Sequence, residues 1–235
     1  MYIKYICNIV LLLFCLTKSS IVIAQTIIAQ ENFETSFTSN GYISNTTGLW
    51  RSSHAGVNNQ NNWTAFNSGH NIQGRSIMVS AAQAGVHYPG QYFMDVTTNK
   101  YVYATVDVTG FENITLEFQW KCQGEIFSGT YYDYGQVIYS TATTGTSFTN
   151  ITTGGSDGNG RYAGRNYVST ETLNLPSSIN NSLFRIGFRW INDNDYSDGA
   201  PTFVIDNIII KGTPIATNRT LTVSEAYTGA SHANG

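Results

Sequence analysis

Tyr101-Val102-Tyr103-Ala104-Thr105-Val106-Asp107-Val108, and after the turn-like Thr109-Gly110 the run Ile114-Thr115-Leu116-Glu117-Phe118-Gln119-Trp120, decide the fold. Both alternate with a period of two, the signature of strands that bury one face. In the second run Ile114, Leu116, Phe118 and Trp120 share that face. Working outward, Gln136-Val137-Ile138-Tyr139 predicts a third strand and Phe184-Arg185-Ile186-Gly187-Phe188-Arg189-Trp190 a fourth. Phe203-Val204-Ile205-Asp206-Asn207-Ile208-Ile209-Ile210 closes the set, apolar on both faces except at its centre. Shorter candidates cover 27–33, 63–66 and 77–80. Turn formers separate them, notably Gly154-Gly155-Ser156-Asp157-Gly158-Asn159-Gly160 and Asn192-Asp193-Asn194-Asp195-Tyr196-Ser197-Asp198-Gly199. No stretch sustains a helical period. Many short antiparallel strands with one apolar face must stack as sheets, so the expectation is an all-β, two-sheet antiparallel β-sandwich. Trp50, Trp63, Trp120 and Trp190 lie in or beside strand patterns and are read as core.

Composition agrees. Only 11% of residues are charged, beside 15 Tyr and 22 Gly, which suits strands and turns better than amphipathic helices. At the start, Lys4 precedes an apolar run through Leu16, and Val22-Ile23-Ala24 offers a cleavage site. This is the pattern of a signal peptide over 1–24, implying export, and the run is too short to span a membrane. A lipid anchor at Cys15 is disfavoured by Phe14 in the place of a small residue. Loss of the leader removes Cys7 and Cys15, so Cys122 is left with no disulfide partner and the core must supply the stability. The formal charge of −3 becomes −5 when Lys4 and Lys18 leave, and no basic run points to nucleic acid. The sandwich is expected over 25–213, with 214–235 a linker or tail, the former implying other domains of a longer surface protein.

Catalytic readings find little support. His54, His70, His87 and His232 lack metal-ligand spacing, Cys122 ends a strand without a partner, and no nucleophile elbow or phosphate loop occurs. The carboxylate run of concanavalin-like glycosidases is absent, and Glu112, Glu117 and Glu125 do not replace it. The chain is therefore read as non-catalytic. Tyr131-Tyr132-Asp133-Tyr134 is a candidate stacking platform for sugar rings, weighed against ordinary cross-strand packing. Asp195 and Asp198, with Asp193, form a second candidate ligand-facing loop, weighed against a solvated turn. Asp206 is flanked by Val204, Ile205, Ile208 and Ile209, and a carboxylate buried there needs a partner.

Taken in order, these pieces resemble the jelly-roll modules of choice-of-anchor J and cleaved-adhesin type, known from gingipain-like Bacteroidetes proteins, and more remotely MAM domains with their concanavalin-like sandwich. Glu31-Asn32-Phe33-Glu34 resembles their opening strand, and Gly74-Arg75-Ser76-Ile77-Met78-Val79-Ser80 a later one. The segment 136–148 resembles their hairpin, and Phe203-Val204-Ile205-Asp206-Asn207-Ile208 their last strand. The resemblance implies a secreted or cell-surface adhesion or carbohydrate-binding module, with an extracellular glycan or a host or matrix protein as partner. It also implies that Glu34 and Asp206 lie together in a structural calcium site. Where the family has an acidic turn before a Trp, this chain has Asn58, Asn59, Asn61 and Asn62; Asn58 and Asn62 are the expected neutral ligands, and the site should bind calcium more weakly. The alternative for Asp206 is hydrogen bonding to backbone N–H groups. The alternative for the whole is a structural spacer or accessory domain of a secreted hydrolase.

Overall fold

The computed structural model describes residues 24–37, 41–43, 49–53, 61–67, 69–83, 86–195 and 199–216. In chain order the strands are β1 Thr26–Glu31, β2 Gly41–Tyr42, β3 Trp50–Ser52, β4 Asn62–Phe66, β5 Ser76–Gln83, β6 Val86–Pro89, β7 Thr98–Asp107 and β8 Phe111–Cys122. They continue as β9 Glu125–Phe127, β10 Thr130–Ser140, β11 Thr149–Asn150, β12 Arg161–Tyr162, β13 Arg165–Asn174, β14 Leu183–Asn192 and β15 Val204–Pro214. A single 3-10 turn, Ser177–Ile179, is the only helical segment among the described residues. The strands form two antiparallel sheets. One runs β13-β8-β15-β5-β4-β2, with β1 also on β15 and β6 on β5; the other runs β11-β10-β14-β7-β3, with β9 and β12 also on β10.

The alternation read in the sequence is the alternation of burial. Along β8, Ile114, Leu116, Phe118, Trp120 and Cys122 are buried while the residues between them are half-buried. On β14, Phe184, Ile186, Phe188 and Trp190 enter the core and Arg185 and Arg189 turn the other way. All the Trp residues are core: Trp63, Trp120 and Trp190 are fully buried and Trp50 nearly so. Phe203 sits among them, stacked on Tyr162 at 5.1 Å and edge-on to Trp63, Trp120 and Phe188. Burial of each such ring contributes roughly 1.5–3 kcal/mol. Cys122 is buried in this core, where desolvation pushes its thiol well above its ordinary range, so it is an inert filler.

Strand β13 carries no pattern in the sequence that predicts it. It is an edge strand whose side chains are mostly exposed, so its sequence carries little hydrophobic alternation.

The last strand has an irregularity that matters for the site. One edge of β15 serves two partners in succession, β5 at Val204 and Ile205 and β1 from Ile208 to Gly212. Asp206 and Asn207 fill the handover, where the pairing with β8 also shifts register and Asn207 adopts φ 49°. Asn tolerates that left-handed backbone better than a branched residue would. Residues 1–23, which hold most of the expected leader, residues 217–235, Asn58 and Asp198 lie outside the described residues.

Candidate functional site

At the handover on β15, the Asp206 carboxylate is almost fully buried. Its Oδ2 accepts the backbone N–H of Gln73 at 3.3 Å and the Ser76 hydroxyl at 3.0 Å, while Oδ1 accepts the N–H of Asn207 at 2.7 Å. Glu34, just beyond β1, accepts the N–H of Arg75 at 2.6 Å through Oε1. The structure thus brings Glu34 and Asp206 to one loop, residues 72–76. Gly74 at its apex has φ +56°, and a Cβ there would collide with the Glu34 carboxylate. Burial, with repulsion from Glu34 also contributing, raises the Asp206 carboxyl to about 6. A cation here would find both carboxylates and the Ser76 hydroxyl, but the Asn71 and Gly74 carbonyls already accept from Lys121 and from the Asn71 amide. That donor set fits a weak site, short of the about six to eight oxygens calcium takes when fully coordinated.

Asn62 does not join it. It pairs with Ser80 on β5, four residues along from Ser76, a separation of about 13 Å at ~3.3 Å per residue. There Asn62 is fully buried and accepts a hydrogen bond from the Lys100 ammonium at 3.0 Å. Burial lowers that ammonium to about 8. The amide is thus committed to a buried cation, which corrects its expected role as a ligand of the Glu34 and Asp206 site.

The Tyr131 to Tyr134 platform also needs correction. Tyr131 and Tyr134 pack on the core, edge-on to each other, and the Arg161 guanidinium covers the Tyr131 ring at 4.7 Å. Asp133 points inward, where Tyr92 donates its hydroxyl to Oδ2 and the N–H of Asp193 donates to Oδ1 at 3.1 Å. Of the four only Tyr132 is exposed. The β9 and β10 register shifts between Tyr131 and Asp133, a bulge that takes neighbouring side chains off simple alternation, so a run of aromatics in sequence does not make one exposed face. Asp195 is exposed, its N–H bonded to Asp193 Oδ1, as in a solvated turn. Among the described residues Glu125, Asp133 and Asp193 form an acidic trio, with ligand oxygens within 4.8 Å of one another. Burial above all raises the Asp133 carboxyl to about 7. Both of its oxygens accept hydrogen bonds from within the fold, which ties this carboxylate to Tyr92 and Asp193.

The outward face of the seven-stranded sheet offers a surface suited to a ligand. Alternation that sends Val102 and Ala104 inward on β7 sends Asn99, Tyr101 and Tyr103 outward. On β14 it sends out Arg185 and Arg189, and on β10 Gln136 and Ile138. Gly187, between the arginines, admits no side chain, because a Cβ would meet the Val102 carbonyl. Phe148 folds over this face from the segment before β11, its ring 4.9 Å from Tyr101 and 5.2 Å from Tyr103. Arg185 holds that segment down, donating to the carbonyls of Ala142, Thr144 and Gly145 while stacking on Phe148 at 4.6 Å. Beside it lies a cleft of about 340 Å³ lined by Asn99, Tyr101, Ile138, Phe148, Asn150 and Arg189. The Arg189 guanidinium lies across its floor, bonded to Asn99 at 2.7 Å and more loosely to Asn150 and Gln136.

None of these cleft residues was singled out in the sequence. The available signal was the polar half of the alternation: Tyr101 and Tyr103 on one strand and Arg185 and Arg189 on another are the residues left over once the core face is assigned.

No protein-family model matches the chain, and no curated protein matches it. Solved structures do. The K2 cleaved adhesin domain of Lys-gingipain is 18% identical, the match covering 80% of this chain and 97% of that one, with a TM-score of 0.44. TmCBM61, solved with β-1,4-galactotriose, is 11% identical over 77% of this chain and 93% of its own, with a TM-score of 0.41. The CBM22-1 xylan-binding domain of Paenibacillus barcinonensis Xyn10C is 10% identical over 83% and 99%, with a TM-score of 0.41.

Proposed function

We propose that this chain is a non-catalytic carbohydrate-binding module that acts outside the cell and takes a glycan on the outward face of its seven-stranded sheet. The observation that carries this reading is the cleft between Tyr101, Phe148 and Arg189. A sugar ring has an apolar C–H face and a rim of hydroxyls. Aromatic rings present apolar surface with fixed geometry, and planar amide and guanidinium groups hold hydroxyls in defined directions. Here Tyr101 and Phe148 supply the first, and Asn99, Asn150 and Arg189 the second. The leader pattern over 1–24 supports export. A weak calcium site at Glu34 and Asp206 belongs to the same reading, as a brace for the 72–76 loop. In that site the two carboxylates would hold the ion, and the ion would cancel their mutual repulsion.

The test is a glycan array with the intact protein and with Tyr101→Ala and Phe148→Ala, folding being checked by circular dichroism. Binding by the parent and its loss in both folded variants is the expected result. Binding unchanged in both variants would place the ligand elsewhere, and no binding by any protein would leave the spacer reading.

A further inference from the structure

Among the described residues the outward face carries guanidinium groups that no carboxylate pairs. Arg189 is half-buried and bonded only to neutral amides, and its Nη2 takes no partner among the described residues. Arg185 spends its donors on backbone carbonyls and the Ser140 hydroxyl. Arg51, exposed on β3 opposite Tyr103, adds a third guanidinium. The ion pairs among the described residues are Arg161 with Asp157 and Lys211 with Glu117, neither of them on this face. The seven strands of this sheet hold three acids, Asp133, which points inward, Glu125 of β9, whose carboxylate lies beside that of Asp133, and Asp107. Asp107 ends β7 six residues beyond Tyr101, about 20 Å away at ~3.3 Å per residue. This arrangement stands in a chain whose formal net charge is −3.

A guanidinium taken partly out of water and given no counter-ion is poorly balanced by amide oxygens. Its planar fork matches carboxylate and sulfate, and charge-assisted pairs of that kind are shorter and stronger than neutral ones. In the cleft the fork lies alongside two aromatic rings, so a ring that stacks on Tyr101 and Phe148 can present an anionic substituent to Arg189.

Resting on the reading of this face as a glycan site, we infer that its ligand is an acidic glycan, a chain of sugar rings bearing carboxylate or sulfate groups, with Arg189 as the residue that selects for the charge. Arg189 Nη2 and the guanidinium edge facing the cleft bind the anion, Tyr101 and Phe148 stack on the ring, and Asn99 and Asn150 orient the fork.

Matched probes test this with calorimetry on the intact protein: an oligogalacturonate against its methyl ester, and a sulfated galactan oligosaccharide against its desulfated form. The members of each pair share one sugar backbone and differ in whether it carries the ionised group, and the two pairs separate carboxylate from sulfate. The charged member of at least one pair should bind roughly tenfold or more tighter, the scale of one charge-assisted bond. The preference should shrink as salt rises. Arg189→Gln should erase the preference while Tyr101→Ala weakens charged and neutral members alike. Equal or tighter binding of the neutral members, lost in Tyr101→Ala, would overturn the inference and leave the glycan reading standing. A preference that survives Arg189→Gln would also overturn it. Failure of every glycan to bind would bring down the reading beneath it. The comparison within each pair needs only the parent protein, so it holds even if a variant misfolds.

Discussion

Glu34 and Asp206 hold opposite ends of one loop: Asp206 accepts the N–H of Gln73 and Glu34 that of Arg75, with Gly74 between them. Both carboxylates reach this loop because β15 changes partner beside it. Where β5 leaves its edge and β1 has not yet begun, backbone donors of the 72–76 loop need acceptors, and the carboxylates provide them.

With calcium bound at these carboxylates, the melting temperature of the protein rises with added calcium after chelator treatment. A ligand at a hundredfold excess over its Kd stabilises by about 2.7 kcal/mol, and a weak site needs millimolar ion to reach that regime. Asp206→Asn should lose the response. An equal rise in parent and variant would remove Asp206 from the site.

Gly74→Ala should be destabilising by at least about 1 kcal/mol, since the methyl group meets both a left-handed backbone and the Glu34 carboxylate. Chemical denaturation measures it. A neutral result would mean that the loop can move aside without cost.

Asp133 should make stability fall as pH rises toward neutral. Its folded carboxyl lies at about 7 against 3.8 for the ordinary group, so the folded state holds the proton more tightly. That contribution is complete below about pH 4 and is lost as pH passes through about 7, and each tenfold change in proton affinity is worth about 1.4 kcal/mol. In chelator, the stability of the parent minus that of Asp133→Asn should therefore decline from pH 4 to 7.5. A flat difference would show that Asp133 is ionised in the fold.

Arg185→Lys should loosen the segment carrying Phe148, because an ammonium cannot reproduce a fork shared among the carbonyls of Ala142, Thr144 and Gly145. A loss of about 1.5–3 kcal/mol is expected, together with weaker glycan binding. Hydrogen exchange of residues 141–148 reads the loosening directly, and unchanged protection there would contradict it.

Much of the molecule was legible in the chain. Alternation identified β7, β8 and β14, and a run apolar on both faces identified β15; with them came the two-sheet sandwich, because one buried face imposes a period of two on a strand. The same rule made every Trp a core residue. It faltered where strands are irregular or exposed. β13, with little apolar surface to bury, left no pattern to read, and the Tyr131 to Tyr134 platform, drawn from residue types alone, is a core edge around a buried acid at a bulge.

What the sequence alone determined is therefore the layer structure and the identity of the core, since these follow from local periodicity. Only the tertiary structure decided which polar residues face one another. Arg189 meets Asn99 and Asn150, and Phe148 reaches Tyr101, because strands distant in sequence pair side by side in one sheet. Residue spacing along a chain holds no record of that lateral order; strand pairing and register set it.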